Sequence, residues 1–158
     1  MSSNVWTKEL VQAHAQAAVA IELYTLPFYI TPLASIKVKT DPSYDLIKGV
    51  MFEEMLHLEM AANLCIALDT TPNFAVPNYG VGIPYLSPYD PVTGHHGFTE
   101  TALGNLNDVI DTMLDIETPT EFQQGTHNGP SIPYNSIGEM YDALLTGIKA
   151  VGKDSFTW

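Results

Sequence analysis

Three side chains could hold a cation: Glu22, Glu54 and His57. Glu54 and His57 form Glu-x-x-His, a carboxylate oxygen and an imidazole nitrogen three residues apart. On a helix that spacing puts both on one face. Around them Ile47, Val50, Ala61, Leu64 and Leu68 recur in a 3-4-3-4 apolar stripe, and Glu54 and His57 fill its two vacant places. With Val50 at zero, Glu54 falls at about +40° and His57 at about −20°. Both should point into a helical bundle. Glu53, at about −60°, lies at the edge of the stripe, and Glu59, at about 180°, lies on the far face. A charged carboxylate in a core is costly unless it is paired or metal-bound. A buried Glu–His ion pair is the simpler alternative to a metal.

Glu22 strengthens the metal reading. Apart from His14, it is the only acidic or basic residue between Glu9 and Lys37, set in Ala18-Val19-Ala20-Ile21 and followed by Leu23 and Tyr24. Such an acid should be hydrogen-bonded, protonated or metal-bound. One acid on a first helix with Glu-x-x-His on the next is half of a carboxylate-bridged di-metal bundle site. There is no second Glu-x-x-His, and Glu117 and Glu139 are the remaining acid candidates. Glu117 sits at the edge of the Val109, Met113, Ile116 side. Glu139 lies opposite the Ile137, Tyr141, Leu144, Ile148 stripe, which favours a capping role. His14, about 80° round the helix from Glu22, reads as a core histidine or an outer partner of the acid. His95, His96 and His127 read as exposed loop residues, and Cys65 as a packed thiol beside the core stripe.

The elements that position these groups are helices. The first is expected from about Val5 to Tyr24, with Pro27 and Pro32 bending or ending it. Asp41-Pro42 opens the second, Asp as N-cap and Pro at the first helical position, and it should run to about Leu68. A short third helix is expected over Asp108–Glu117 with Asn107 as its cap. The last spans Ser136 to about Val151, its Ser136-Ile137-Gly138-Glu139 start fitting a capping box. Between them lie a Pro- and Tyr-rich stretch, 72–99, which suits either a plain connector or a lid, and a Gly/Pro loop, 118–135. The expected architecture is an all-α bundle with long connecting loops, in one domain over residues 1–158.

Composition narrows the function. Hydrophobic residues make up 46% of the chain and charged residues 15%, and the net charge is −12. All six basic residues are lysines. Nucleic-acid binding is therefore not expected, nor is bidentate capture of an anion by arginine. One cysteine excludes an internal disulfide and a Cys-rich metal site. Glu22, Pro27 and Pro32 interrupt the stretch poorest in charge, so a membrane span is not expected either, and the N-terminus lacks the pattern of a signal peptide. A cytoplasmic protein is the resulting expectation.

Four segments carry a resemblance: AIELYTLPFYITPLASIK, EEMLHLEMAANLCIAL, LNDVIDTMLDIETP and SIGEMYDALLTGI, in this order. Together they resemble the ferritin-like domain of the iminophenylpyruvate dimer synthase family, which serves violacein- and rebeccamycin-type indole alkaloid biosynthesis. The resemblance spans about residues 9 to 150. It implies a ferritin-like bundle with Glu22, Glu54 and His57 at ligand-type positions, and it raises Glu139, in IGEM, as a fourth ligand. It favours iron, mononuclear or di-iron, although carboxylate and imidazole also accept manganese or zinc. The family carries a later helix with another histidine, whereas this chain ends at Phe156-Thr157-Trp158. A homo-oligomer or a separate chain completing the bundle is therefore expected. Two functions follow: a metal-dependent oxidoreductase-type domain acting on a small molecule, or a non-catalytic metal- or partner-binding module.

Overall fold

The computed structural model describes residues 5–79, 85–86, 104–117, 130, 133–134 and 136–157. Four α-helices carry these residues: α1 Lys8–Ser35, α2 Pro42–Ala67, α3 Leu106–Glu117 and α4 Ile137–Val151, followed by a 3-10 turn, Lys153–Ser155. The expected all-α bundle is what forms. Helix α1 lies at its centre and contacts α2, α3 and α4.

The central place of α1 follows from its sequence. Its start is capped by Thr7, whose side chain accepts a hydrogen bond from the Leu10 amide, with Glu9 in the first turn. Apolar and small residues then occupy nearly every side, and Val11, Ala15, Ala18, Val19, Ile21 and Phe28 are all fully buried. A helix apolar all round is stable only when covered on all sides. By length and composition alone α1 could cross a membrane, but 56% of its apolar window is buried inside the bundle.

The helix does not end near Tyr24. It runs through Pro27 and Pro32 to Ser35. An interior proline costs about 3 kcal/mol, and burial of Phe28, Tyr29 and Pro32 offsets it. Tyr79 adds to that packing. Its ring meets Phe28 edge-on, and its hydroxyl donates to the Tyr24 carbonyl. The Tyr24 hydroxyl in turn donates to the Asn78 carbonyl at 2.8 Å. Residues 78 and 79 are thus strapped onto α1. Most of the remaining 72–99 loop lies outside the described residues.

The other helices begin where local chemistry sets them. Asp41 caps α2 by accepting from the Ser43 amide, and Pro42 takes the first turn. Ser136 caps α4 by accepting from the Glu139 amide at 3.0 Å. Helix α3 starts earlier than Asp108 because Asn105, not Asn107, turns the chain. The Asn107 amide donates to the Asn105 side chain, and the Val109 amide to the Asn105 carbonyl. Near the other end of the bundle, Lys8 pairs with Asp69 at 2.6 Å, and the Thr157 amide donates to the Ala67 carbonyl at 2.7 Å. These contacts tie the start of α1, the end of α2 and the C-terminal segment together.

Candidate metal centre

Glu22 lies midway along α1, and Glu54 and His57 lie one turn apart on α2. The packing of α1 on α2 brings the three together. One ligand-type atom from each can be chosen so that all lie within 4.8 Å of one another. The His57 Nδ1 is 3.3 Å from Glu54 Oε1 and 3.9 Å from Glu22 Oε2. Both acids are buried.

Two hydroxyls complete the arrangement. Tyr141, on α4, donates to Glu22 Oε1. Thr25, one turn after Glu22, donates to Glu54 Oε2 at 2.8 Å and also lies 2.9 Å from the Glu22 carbonyl. Among the described residues, His57 is the only cationic partner of either acid. Burial pushes the Glu22 carboxyl up to about 7; the Tyr141 hydrogen bond opposes that rise and the Glu54 charge adds to it. Burial likewise raises the Tyr141 phenol, with the Glu22 charge adding to it.

His57 departs from the sequence reading. It faces the acids, but half of its side chain remains exposed. It stands at the mouth of an apolar groove of about 630 Å³, lined by Met60, Ala61 and Leu64 from α2, Tyr141, Leu144, Leu145 and Ile148 from α4, and Ala18 and Glu22 from α1. Buried Glu22 therefore lines the groove from within and half-exposed His57 lines its open side. A smaller cavity of about 230 Å³, lined by Ile21, Thr25, Ile137 and the site residues, lies around the acids themselves.

Glu139, Glu53, Glu59 and Cys65 stay apart from the three. Glu139 does not join the cluster; it stands in the first turn of α4, where its amide completes the Ser136 cap. That placement matches its position off the inward stripe. The resemblance-based expectation of a fourth ligand from Glu139 therefore has no counterpart in this cluster. The side chain of Glu117, and all of His95, His96 and His127, lie outside the described residues. Glu53 and Glu59 are exposed. Cys65 is fully buried, and burial raises its thiol.

His14 is a core residue. Its Nδ1 lies 2.7 Å from the Leu10 carbonyl, so that nitrogen carries the proton, and its Nε2 accepts from the Tyr134 hydroxyl at 2.8 Å. The rings of Trp6, Tyr85 and Tyr134 pack around it, and burial holds its basicity down.

In the sequence Tyr141 reads only as a member of an apolar stripe. Its place on that stripe was the available signal: an inward tyrosine needs a partner for its hydroxyl, and a buried acid needs a donor.

The donor set suits a cation. Two buried carboxylates side by side cannot both ionise cheaply, and one half-exposed imidazole compensates them only in part. A hard or borderline metal ion takes oxygen and imidazole nitrogen together, so the residues present fit such an ion.

Comparison with known proteins agrees with this architecture. A family model described as ferritin-like matches residues 15–157. The crystal structure of a ferritin-like protein from Caulobacter vibrioides is similar, with a TM-score of 0.71 and 31% sequence identity. The match covers 93% of this chain and 53% of that one, so the chain spans about half the length of that relative. No curated protein matches. With a helical bundle, a match over most of its length and a cluster of acids and histidine across α1 and α2, the chain belongs to the ferritin-like family.

Proposed function

We propose that this chain is the metal-holding part of an iron-dependent, oxidoreductase-type protein of small-molecule metabolism. The observation that carries the proposal is the convergence of Glu22, Glu54 and His57, two of them buried acids whose only cationic partner among the described residues is that imidazole. In this reading Glu22, Glu54 and His57 hold the ion. Iron is preferred because of the resemblance to iminophenylpyruvate dimer synthases, and manganese and zinc suit the same donors. Iron held there would supply electron-transfer chemistry toward dioxygen or peroxide. The chain itself keeps the acids away from bulk water, places His57 at the mouth of the groove, and offers an apolar wall to a small organic substrate.

Elemental analysis after iron-supplemented expression tests the proposal. The expected result is close to one metal equivalent per chain or more. Well under one equivalent, with no uptake on titration by Fe²⁺, Mn²⁺ or Zn²⁺, overturns it.

A second reading is a non-catalytic module whose exposed α2 face receives another polypeptide. It is favoured by Phe52, Met55, Leu56, Met60 and Ile66 of α2, each at least half exposed. Contiguous apolar surface of this kind marks a contact site.

A further inference from the structure

We infer that Tyr141 and Thr25 are positioning residues that fix which oxygen each buried acid presents, so that Glu22, Glu54 and His57 form a three-donor site for a single cation. The inference rests on the metal reading above and assigns to this chain's own hydroxyls the task of shaping the site.

Each carboxylate has two oxygens, and its terminal torsion is broad and only weakly restrained by its own rotamer preferences. In this structure one oxygen of each acid is already taken. Glu22 Oε1 accepts from Tyr141, and Glu54 Oε2 accepts from Thr25. The other oxygens, Glu22 Oε2 and Glu54 Oε1, are the ones that face His57 Nδ1, at 3.9 and 3.3 Å. The division holds at both acids: the oxygen that pairs with the imidazole is not the one that accepts from the hydroxyl. The two hydroxyls come from different helices, α4 and α1, so one local turn does not impose both orientations. Thr25 has one hydrogen and two acceptors in reach, the Glu22 carbonyl and the Glu54 carboxylate. The bond to an ionised carboxylate is the stronger of the two. One oxygen per acid and one imidazole nitrogen make three donors converging on one place, which leaves further positions for exogenous ligands.

The test uses the full chain and Co²⁺, whose visible absorption reports its ligand geometry. Wild type should bind one Co²⁺ per chain. Tyr141→Phe and Thr25→Val each remove only a hydroxyl's hydrogen bond, and each should weaken Co²⁺ binding about 10- to 100-fold, the usual effect of losing a ligand's outer partner. Each should also shift the Co²⁺ absorption bands. Thr25→Ser keeps the donor and should restore both affinity and spectrum, which a merely space-filling threonine would not predict. Melting of the metal-free variants checks their folding, and the Thr25 pair decides the matter if Tyr141→Phe fails to fold. Wild-type affinity and spectrum in Tyr141→Phe and Thr25→Val overturn this assignment alone, as does uptake of two Co²⁺ per chain. A wild-type chain that takes up no Co²⁺ overturns the metal reading and this assignment with it.

Discussion

The His57 imidazole stands 3.3 Å from the Glu54 carboxylate and 3.9 Å from that of Glu22, so one nitrogen serves two acids from two helices. An ion pair and a metal site share this geometry, and they differ in what removing the polar groups does. Replacing a buried ion pair with apolar residues of similar size is often neutral or stabilising. We therefore expect the metal-free variant Glu22→Leu, Glu54→Leu, His57→Leu, Tyr141→Phe, which removes both acids, their shared imidazole and the phenol together, to melt at or above the temperature of metal-free wild type. The metal-dependent rise in wild-type melting temperature should vanish in the variant. Melts with and without chelator check both parts, and a wild type insensitive to chelator favours the plain ion pair.

Glu22 also gives the metal-free protein a pH dependence of definite sign. Burial raises its carboxyl from the ordinary 4.5 to about 7. Between those values the folded chain holds a proton that the unfolded chain has released, so the Glu22 contribution to stability falls as pH rises. His14 acts in the opposite sense. Burial lowers its pKa, so the unfolded chain takes up the proton first and stability falls as pH drops below about 6.5. The two slopes oppose each other, and the Glu22→Gln variant separates them. Its stability relative to wild type, measured by denaturant unfolding with chelator present, should increase from about pH 4.5 to 7 and level off above. A difference that stays flat across that window counts against a protonated Glu22.

How much of this could be read from the sequence depended on where the controlling contact lay. Asp41-Pro42 and Ser136 set helix starts through atoms two or three residues away, and both were legible. So was the oddity of Glu22, because a lone acid among apolar neighbours announces itself. The end of α1 was not legible: it is fixed by burial of Phe28, Tyr29 and Pro32 and by Tyr79, about fifty residues away in sequence. Periodicity gave His57 the correct side of α2. Its exposure depends on the groove between α2 and α4, which periodicity does not encode. Tyr141 lay on a recognisable stripe, yet its bond to Glu22 spans 119 residues and is a property of the packed bundle.

The packing of α4 on the start of α1 yields a test of the fold itself. Gly147 is buried against Trp6, and a Cβ there would come within 2.5 to 2.9 Å of three ring carbons. Alanine is the better helix former by about 1 kcal/mol, but overpacking costs about 1–3 kcal/mol. Gly147→Ala should therefore destabilise the protein. In a Trp6→Ala background the same change should become neutral or stabilising by up to about 1 kcal/mol. Denaturant midpoints of the four proteins close the cycle. A destabilisation of equal size in both backgrounds shows that Trp6 is not the obstacle.

The exposed face of α2 yields the prediction on assembly. Phe52, Met55, Leu56 and Met60 are all at least half exposed, and Met60 also lines the groove. Beside them stand the exposed acids Glu53 and Glu59, in a chain of net charge −12. Apolar burial favours self-association, while like charges around the patch oppose it. Salt screens the repulsion, with a Debye length that shortens from about 30 Å at 0.01 M to about 10 Å at 0.1 M, and it leaves the apolar contact in place. The chain should therefore be a dimer whose association tightens with ionic strength, a two-fold pair being the commonest closed assembly. Light scattering across a salt series reads this directly. Leu56→Glu and Met60→Glu, at sites exposed in the single chain, should return it to a 17.3 kDa monomer with its fold intact. A monomer at every salt concentration, with no binding of a dye for apolar surface, means that this face of α2 is covered within the chain and removes the reason to seek a partner.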